Sequence, residues 1–369
     1  MKKLFLLLIA ISGCFFSKAQ INVGAPQTDF KSYSKFDFVA GEQVIYFEDF
    51  SQDAVGDFPD KWNTNASGEI VTLGSIQGKW LKLNEGNYKP MIKTSGFPDN
   101  FTIEFDAIFK SPVPIEVGSS FQLFTLDIYP ADDEQILAAN TDGTGSGARW
   151  SLQAGSEFRA INWKDGEPGM NNSQSKELFS SRNGKPFHVA IWIQKQRGRL
   201  YIDETKVFDL PMFLPAGVKY NSISFGSGFY NDGEQNFISN IRVAVGAPDM
   251  RNKLLTEGKL VTHGILFDIN SDKIKSESYG TLKEIAQVLK DNAAVKVKIV
   301  GHTDSDGDDK TNLDLSKRRG ASVKNSLSKD FGIDASRMES DGKGESEAAS
   351  PNTTSEGKAN NRRVEFVKL

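Results

Sequence analysis

The chain is poor in cysteine and histidine, with one of the first and three of the second in 369 residues. A single thiol cannot close an intramolecular disulfide or build a cysteine-based zinc site. Neither sign of charge dominates: 44 Lys and Arg stand against 48 Asp and Glu, a net charge of −4. Such a chain has no general attraction for nucleic acid or anionic lipid, and no nucleic-acid partner is expected. After the first twenty or so residues no apolar run is long enough to predict a membrane-spanning helix. Internal repeats and low-complexity tracts are missing too. The charged fraction of 25% is that of a folded protein. At about 150 residues per domain, the length predicts two domains.

What is present begins with an export signal. Lys2 and Lys3 precede an apolar run from Leu4 to Ile11, which Cys14, Phe15 and Phe16 extend. Ser17-Lys18-Ala19 supplies small residues one and three places before a cut. Residues 1–19 are therefore expected to be a secretory signal peptide. Cleavage after Ala19 would remove the only cysteine. A rival reading stays open: Ile11-Ser12-Gly13-Cys14 resembles a bacterial lipobox, whose acylated cysteine would anchor the protein in a membrane leaflet. Both readings export the chain.

Residues 20–43 are polar and aperiodic, an expected N-terminal arm. From 44 to 247 the texture is β, in short runs between Gly, Pro, Asn and Asp clusters. In one run Phe101, Ile103, Phe105, Ala107 and Phe109 share a face, and Thr102, Glu104 and Asp106 share the other. That alternation predicts a half-buried strand, with the acids on its solvated side. Arg197-Gly198-Arg199 reads as a hairpin turn. No long helical pattern interrupts these runs, so an all-β sandwich is expected. Runs apolar on both faces, such as Phe121 to Leu126, fit a sandwich better than a membrane barrel.

Residues 248–257 read as a linker, and 258–369 as an α/β unit. Gly258 to Phe267 is a predicted strand. Ser276 to Asn292 is a predicted helix, with Leu282, Ile285, Ala286 and Leu289 on one face. Val295 to Val300 alternates as a strand and runs into Gly301-His302-Thr303-Asp304. A second helix is expected from Leu315 to Lys329, closed near Gly332. Strands at Met338 to Gly342 and Arg363 to Lys368 complete a β-α-β-α-β-β order.

Gly301-His302-Thr303-Asp304, Gly307, Asn312, Leu315-Ser316, Arg319 and Val323 resemble the peptidoglycan-binding domain of the OmpA family. Phe267-Asp268, Asn270-Ser271, Gly342-Lys343-Gly344-Glu345 and Gly357 with Asn361-Arg362-Arg363-Val364 extend that resemblance. Gly320 stands where Ala is usual, and a proline is displaced to Pro351. The resemblance implies that Asp304 and Arg319 hold diaminopimelate, the stem-peptide residue with an ammonium and a carboxylate on one carbon. A carboxylate suits the first group and a planar guanidinium the second. It further implies that Asn312, Thr303 and the backbone at Asp268 orient the peptide, with Arg362 a further partner for its carboxylates.

Each residue also has a plainer reading. Asp304 and Arg319 could form an internal ion pair, and Asn312 could cap the second helix. His302 reads as a structural, hydrogen-bonded histidine. Arg362 and Arg363 should point to opposite faces, which leaves one of them a structural or surface charge. The acidic strings from Asp268 and from Asp304 lack the Gly and Glu of a calcium loop, so no metal and no cofactor is expected.

In the β region, Phe47-Glu48-Asp49-Phe50-Ser51 with Trp62, the Leu200-Tyr201-Ile202-Asp203 hairpin and Ile238 to Val243 resemble concanavalin-like and laminin-G-like jelly rolls. That fold hosts glycan binding and glycan hydrolysis alike. The third acid of a hydrolytic Glu-x-Asp-x-x-Glu strand is replaced by Phe109. Trp80, Trp150, Trp163 and Trp192 could stack on sugars but suit a core; Trp163 stands in the most polar surroundings. The expectation is a non-enzymatic envelope protein on the periplasmic face of the outer membrane. It would bind peptidoglycan and tether the membrane, or a protein complex or glycan held by the sandwich. An exported glycan-binding or glycan-hydrolysing jelly roll targeted to the wall is the alternative.

Overall fold

The computed structural model describes residues 36–115, 122–130, 145–153, 157–229, 231–246 and 249–369. The expected signal peptide, Cys14 and the arm before Phe36 lie outside the described residues. In chain order the first strands are β1 (Gln43–Glu48), β2 (Trp62–Thr64), β3 (Gly68–Leu73), β4 (Ile76–Leu83) and β5 (Gly86–Pro90). Next come β6 (Asn100–Lys110), β7 (Gln122–Tyr129), β8 (Gly147–Gln153), β9 (Glu157–Lys164) and β10 (Glu167–Ser175). The region closes with β11 (Pro186–Gln194), β12 (Arg197–Ile202), β13 (Thr205–Leu210), β14 (Ser222–Ser227) and β15 (Gln235–Val245).

These strands form two antiparallel sheets, a sandwich. One runs β13-β12-β11-β6-β15-β4-β3, with β1 also beside β15; the other runs β10-β9-β8-β7-β14-β5-β2. The first and last strands thus lie side by side, Gln43 opposite Val245. A single apolar core fills the space between the sheets. Phe101, Ile103, Phe105, Ala107 and Phe109 of β6 all enter it, with Phe124, Trp150 and Phe225 from the other sheet.

The opposite face of β6 is not solvated, contrary to the alternation argument. Glu104 is only 3% exposed. Residues 36–41 cover part of this face: the Gly41 N–H donates to Thr102 Oγ1 at 3.1 Å, and Phe36 and Phe38 pack edge-on against Tyr201. The C-terminal domain covers the rest. Two further readings are corrected. Trp163 is buried, its ring lying where a Cβ on Gly147 would sit. The hairpin between β11 and β12 turns at Lys195-Gln196, with Lys195 at φ 57°, while Arg197, Gly198 and Arg199 belong to β12.

The C-terminal domain contains α1 (Met250–Leu255), β16 (Lys259–Thr262), α2 (Tyr279–Asp291), β17 (Val297–Gly301), α3 (Asp309–Lys329), β18 (Met338–Gly342), α4 (Ser355–Asn361) and β19 (Val364–Lys368). Its sheet runs β16-β19-β17-β18, with β17 and β18 parallel. The apolar face of α2, Leu282, Ile285, Ala286 and Leu289, packs with Ile299, Val323, Leu327 and Phe366. Within 248–257, read as a linker, α1 buries Met250 and Leu254 in this same core. The first strand ends at Thr262, well short of Phe267, which bridges only to Ile274. The second helix starts at Asp309 because Asp308 caps it, its side chain accepting from Thr311 N–H at 3.0 Å.

The two domains are locked together. The Asn360 side chain, on α4, donates to Val44 O at 2.9 Å and accepts from Val44 N–H at 3.1 Å. Both bonds fall where the pairing of β1 with β15 shifts register, between Val44 and Tyr46. Val44, Ala244 and Ala359 form a small apolar cluster beside them, and Lys253 pairs with Glu42 at 2.7 Å. Gly280 lets residues 36–40 lie flat on α2: a Cβ there would stand 2.0 Å from Phe38 O.

Beneath the C-terminal domain lies a buried charged network on β6, β11 and β15. Arg242 donates to Glu104 at 2.5 Å, Asn240 donates to Asp106 at 2.7 Å, and His188 Nδ1 meets Asp106 at 2.7 Å. Burial alone would lower the His188 pKa, but the Asp106 and Glu104 carboxylates override it and raise it to about 10.

Candidate functional site

A cleft of about 1160 Å³ runs between the outer face of the β6 sheet and the C-terminal domain. All six residues singled out in the sequence, Asp268, Thr303, Asp304, Asn312, Arg319 and Arg362, line it. The sandwich lines it as well, through Phe47, Trp80 and His188 among others.

Asp304 follows β17, in the loop that leads to α3. It is nearly buried and forms an ion pair with Arg362 Nη1, while one oxygen accepts the Asp306 N–H at 3.1 Å. Among the described residues its ion-pair partner is Arg362, not Arg319. The internal Asp304–Arg319 pair is therefore not formed.

Arg319 projects from α3 into a different setting. Its guanidinium lies over the Phe267 ring at 4.9 Å, and Nε donates to Ser271 O at 3.0 Å. A longer bond, 3.5 Å, reaches Asp268 O. Burial, followed by the nearby Arg362 charge, pulls its pKa down to about 10. Among the described residues no carboxylate stands within ion-pair distance of it. Arg319 is thus a half-buried cation stacked on a ring and held by carbonyl oxygens.

The remaining residues shape the loop. Asn312 does not cap α3; it lies one turn inside, and its amide donates to Asp304 O at 3.3 Å, Asp306 O at 3.0 Å and Glu345 Oε2 at 2.6 Å. It thereby pins the 304–306 loop to the loop after β18. Thr303 N–H donates to Gly344 O at 3.0 Å, and its buried hydroxyl has no partner among the described residues. The backbone at Asp268 is already engaged: its N–H donates to Lys273 O, and its carbonyl accepts from Ser271 N–H. What Asp268 offers the cleft is its half-exposed carboxylate, 3.4 Å from Lys273 Nζ.

Arg362 and Arg363 diverge. Arg362 faces the cleft, and Arg363 is buried against Glu365 at 2.8 Å. Glu365 also meets Lys259 at 2.7 Å and lies 3.6 Å from His302 Nε2. Burial would raise the Glu365 pKa, yet the neighbouring His302 ring and the cations Lys259 and Arg363 hold it far below the usual carboxylate range. The hydrogen bond expected for the His302 ring is not formed; the ring is buried with that carboxylate near it. The carboxylates of Asp304, Asp306 and Asp308 go separate ways, to Arg362, to Lys358 and to the cap of α3.

His263 lies at the edge of this cleft, its Nε2 donating to Asn360 O at 3.0 Å within the C-terminal domain. Burial, reinforced by Arg242, depresses its pKa to about 4. The unfolded chain takes up a proton near pH 6.5 and the folded chain does not. Stability is therefore lost as pH falls from about 6.5 toward 4. Urea unfolding should show this extra acid sensitivity in the wild type, relative to His263→Gln. Parallel pH profiles for the two proteins would refute it.

Sequence reasoning missed Phe47 and Glu345 as parts of the site. Both sit inside quoted motifs, but the motif of Phe47 pointed only to the sandwich fold, because its place in the cleft depends on how two domains meet.

Residues 266–362 match the model of the OmpA family. Residues 266–362 are an OmpA family domain. Over 101 residues the chain is 39% identical to outer membrane porin F of Pseudomonas aeruginosa, covering 27% of this chain and 29% of that protein. Over 105 residues it is 39% identical to the probable lipoprotein YiaD of Escherichia coli, covering 28% and 48%. The chain thus spans less than half the length of these curated relatives. Among solved structures, the peptidoglycan-associated lipoprotein from Burkholderia pseudomallei is 28% identical, covering 28% of this chain and 88% of that one at a TM-score of 0.27. By name the two curated relatives are an outer membrane porin and a probable lipoprotein.

Proposed function

We propose that this protein holds peptidoglycan without covalent attachment, by gripping diaminopimelate in the interdomain cleft, and tethers the outer membrane or an outer-membrane complex to the wall. The carrying observation is Arg319, a half-buried guanidinium with carbonyls and a ring around it and no carboxylate among its described partners. A stem-peptide carboxylate supplies what it lacks. Asp304, in the same cleft, accepts the ammonium on the same carbon, and the Thr303 hydroxyl is free to join it. Asn312 keeps the Asp304 loop in place, Arg362 adds a second cation, and the Asp268 carboxylate adds a second anion for the peptide. No catalytic step is part of this reading. Glu104 and Asp106, the nearest approach to a hydrolytic acid pair, are tied to Arg242, His188 and Asn240, which favours tethering over hydrolysis. The protein acts on the periplasmic face of the outer membrane, and the sandwich carries the membrane-side or glycan partner. Pull-down on diaminopimelate-type peptidoglycan tests the reading. The wild type should be retained and the Asp304→Ala, Arg319→Ala double variant lost; equal retention sinks the assignment.

A further inference from the structure

Arg362 is held from two sides by two different domains. Its Nη1 reaches Asp304 in the C-terminal domain, and its guanidinium lies over the ring of Phe47, on β1 of the sandwich, at 4.8 Å. The same stretch of β1 is fixed to α4 by the paired bonds between Asn360 and Val44. Phe47 packs on the Val44, Ala244 and Ala359 cluster, so its ring has a fixed place. Arg362 is about one-third exposed, enough for a ligand to reach it. A long side chain at the mouth of a cleft would otherwise sample many rotamers, and each must be given up on binding. A ring face offers a guanidinium an attractive seat without using any of its five donors.

We propose that the sandwich is part of the peptidoglycan site, with Phe47 as the positioning residue that presents Arg362 to the carboxylates of the stem peptide. This rests on the reading of the cleft as the diaminopimelate site. On its side of the cleft the C-terminal domain already seats Arg319 on Phe267. The two arginines then form matched pairs, each guanidinium backed by a ring, one ring from each domain. Such a site takes a ligand with more than one carboxylate, as a diaminopimelate-containing stem peptide has.

The test is binding of a diaminopimelate-containing tripeptide to the full chain by calorimetry, with variants at Phe47 that separate its aromatic face from its bulk. Phe47→Leu and Phe47→Met keep an apolar side chain and should weaken binding about threefold to tenfold. Phe47→Tyr and Phe47→Trp keep a ring and should stay within about twofold of the wild type. In an Arg362→Gln background Phe47→Leu should cost nothing further, since the effect runs through Arg362. The proposal is overturned if the leucine and methionine variants bind like the wild type. Equal losses in all four variants overturn it too, because they mark a packing role alone. Failure of the wild type to bind the tripeptide removes the underlying reading itself, and so is told apart from failure at Phe47.

Discussion

Arg319→Lys lowers affinity for diaminopimelate-type peptidoglycan by at least about tenfold, and Arg319→Ala by about a hundredfold or more. The first figure follows from geometry. Lysine keeps the charge but loses the planar fork that grips a carboxylate with two parallel bonds. It also loses the stacking on Phe267 and the bond from Nε to Ser271 O that aim the fork. The second figure follows from electrostatics: removing one partner of a desolvated charge pair costs about 2–5 kcal/mol, and about 1.4 kcal/mol is tenfold. Sedimentation of the full chain with purified sacculi, at fixed salt, measures both. Retention of Arg319→Lys within about twofold of the wild type would show that charge alone suffices and that the fork has no role.

Glu104→Ala destabilises the folded protein by about 3–5 kcal/mol, as expected when one member of a buried ion network is removed and the others stay behind. Arg242, only 6% exposed, would lose its only described ion-pair partner. His188, 3.6 Å from the other oxygen of Glu104, would keep Asp106 alone. The pH dependence has a definite sign. The His188 pKa is raised in the fold, so its contribution is fully present below about pH 6.5 and is lost as pH rises through about 10. Urea unfolding near neutral pH gives the magnitude. Repetition between pH 7 and 10 should show the wild type losing part of its advantage over Glu104→Ala. A loss below about 1 kcal/mol would mean that water reaches the network and screens it.

Much of this was open to reading along the chain. The alternation in β6 named its core face correctly, because a strand repeats every two residues whatever surrounds it. The four apolar positions of α2 behaved likewise. Motif spacing brought Asp304, Arg319 and Arg362 to one cleft. What stayed hidden was the identity of the neighbour. Polar residues at alternate positions of β6 look the same whether water or another domain lies over them, so Glu104 and Asp106 passed for surface. Trp163 was misplaced by the polar residues after it, although its own ring faces Gly147. The start of α3 was set too late because its first turns, Asp309 to Asp314, carry almost no apolar signal; the cap at Asp308 was the cue. The turn at Lys195-Gln196 was passed over because neither residue is a usual turn former, and Lys195 occupies φ 57° all the same. The pairing of Asp304 with Arg362 in place of Arg319 depends on side-chain reach across strands, which spacing does not encode.

The Asn360 clasp on β1 has a mechanical meaning. A tether must carry load. In the proposed tether the wall would be gripped in loops next to α3 and β19, while the sandwich ends at β15 and α1 opens the C-terminal domain. Tension between the two would fall on that one chain crossing if the domains touched nowhere else. Instead the crossing is shunted by the two Asn360 bonds, the Lys253–Glu42 pair and the apolar seam beside them. These attachments are loaded together, so a pull must strain several at once before the connecting segment extends. Force on the proposed wall site would thereby be delivered into β1 and its neighbour β15, the long strand that crosses the middle of the sheet.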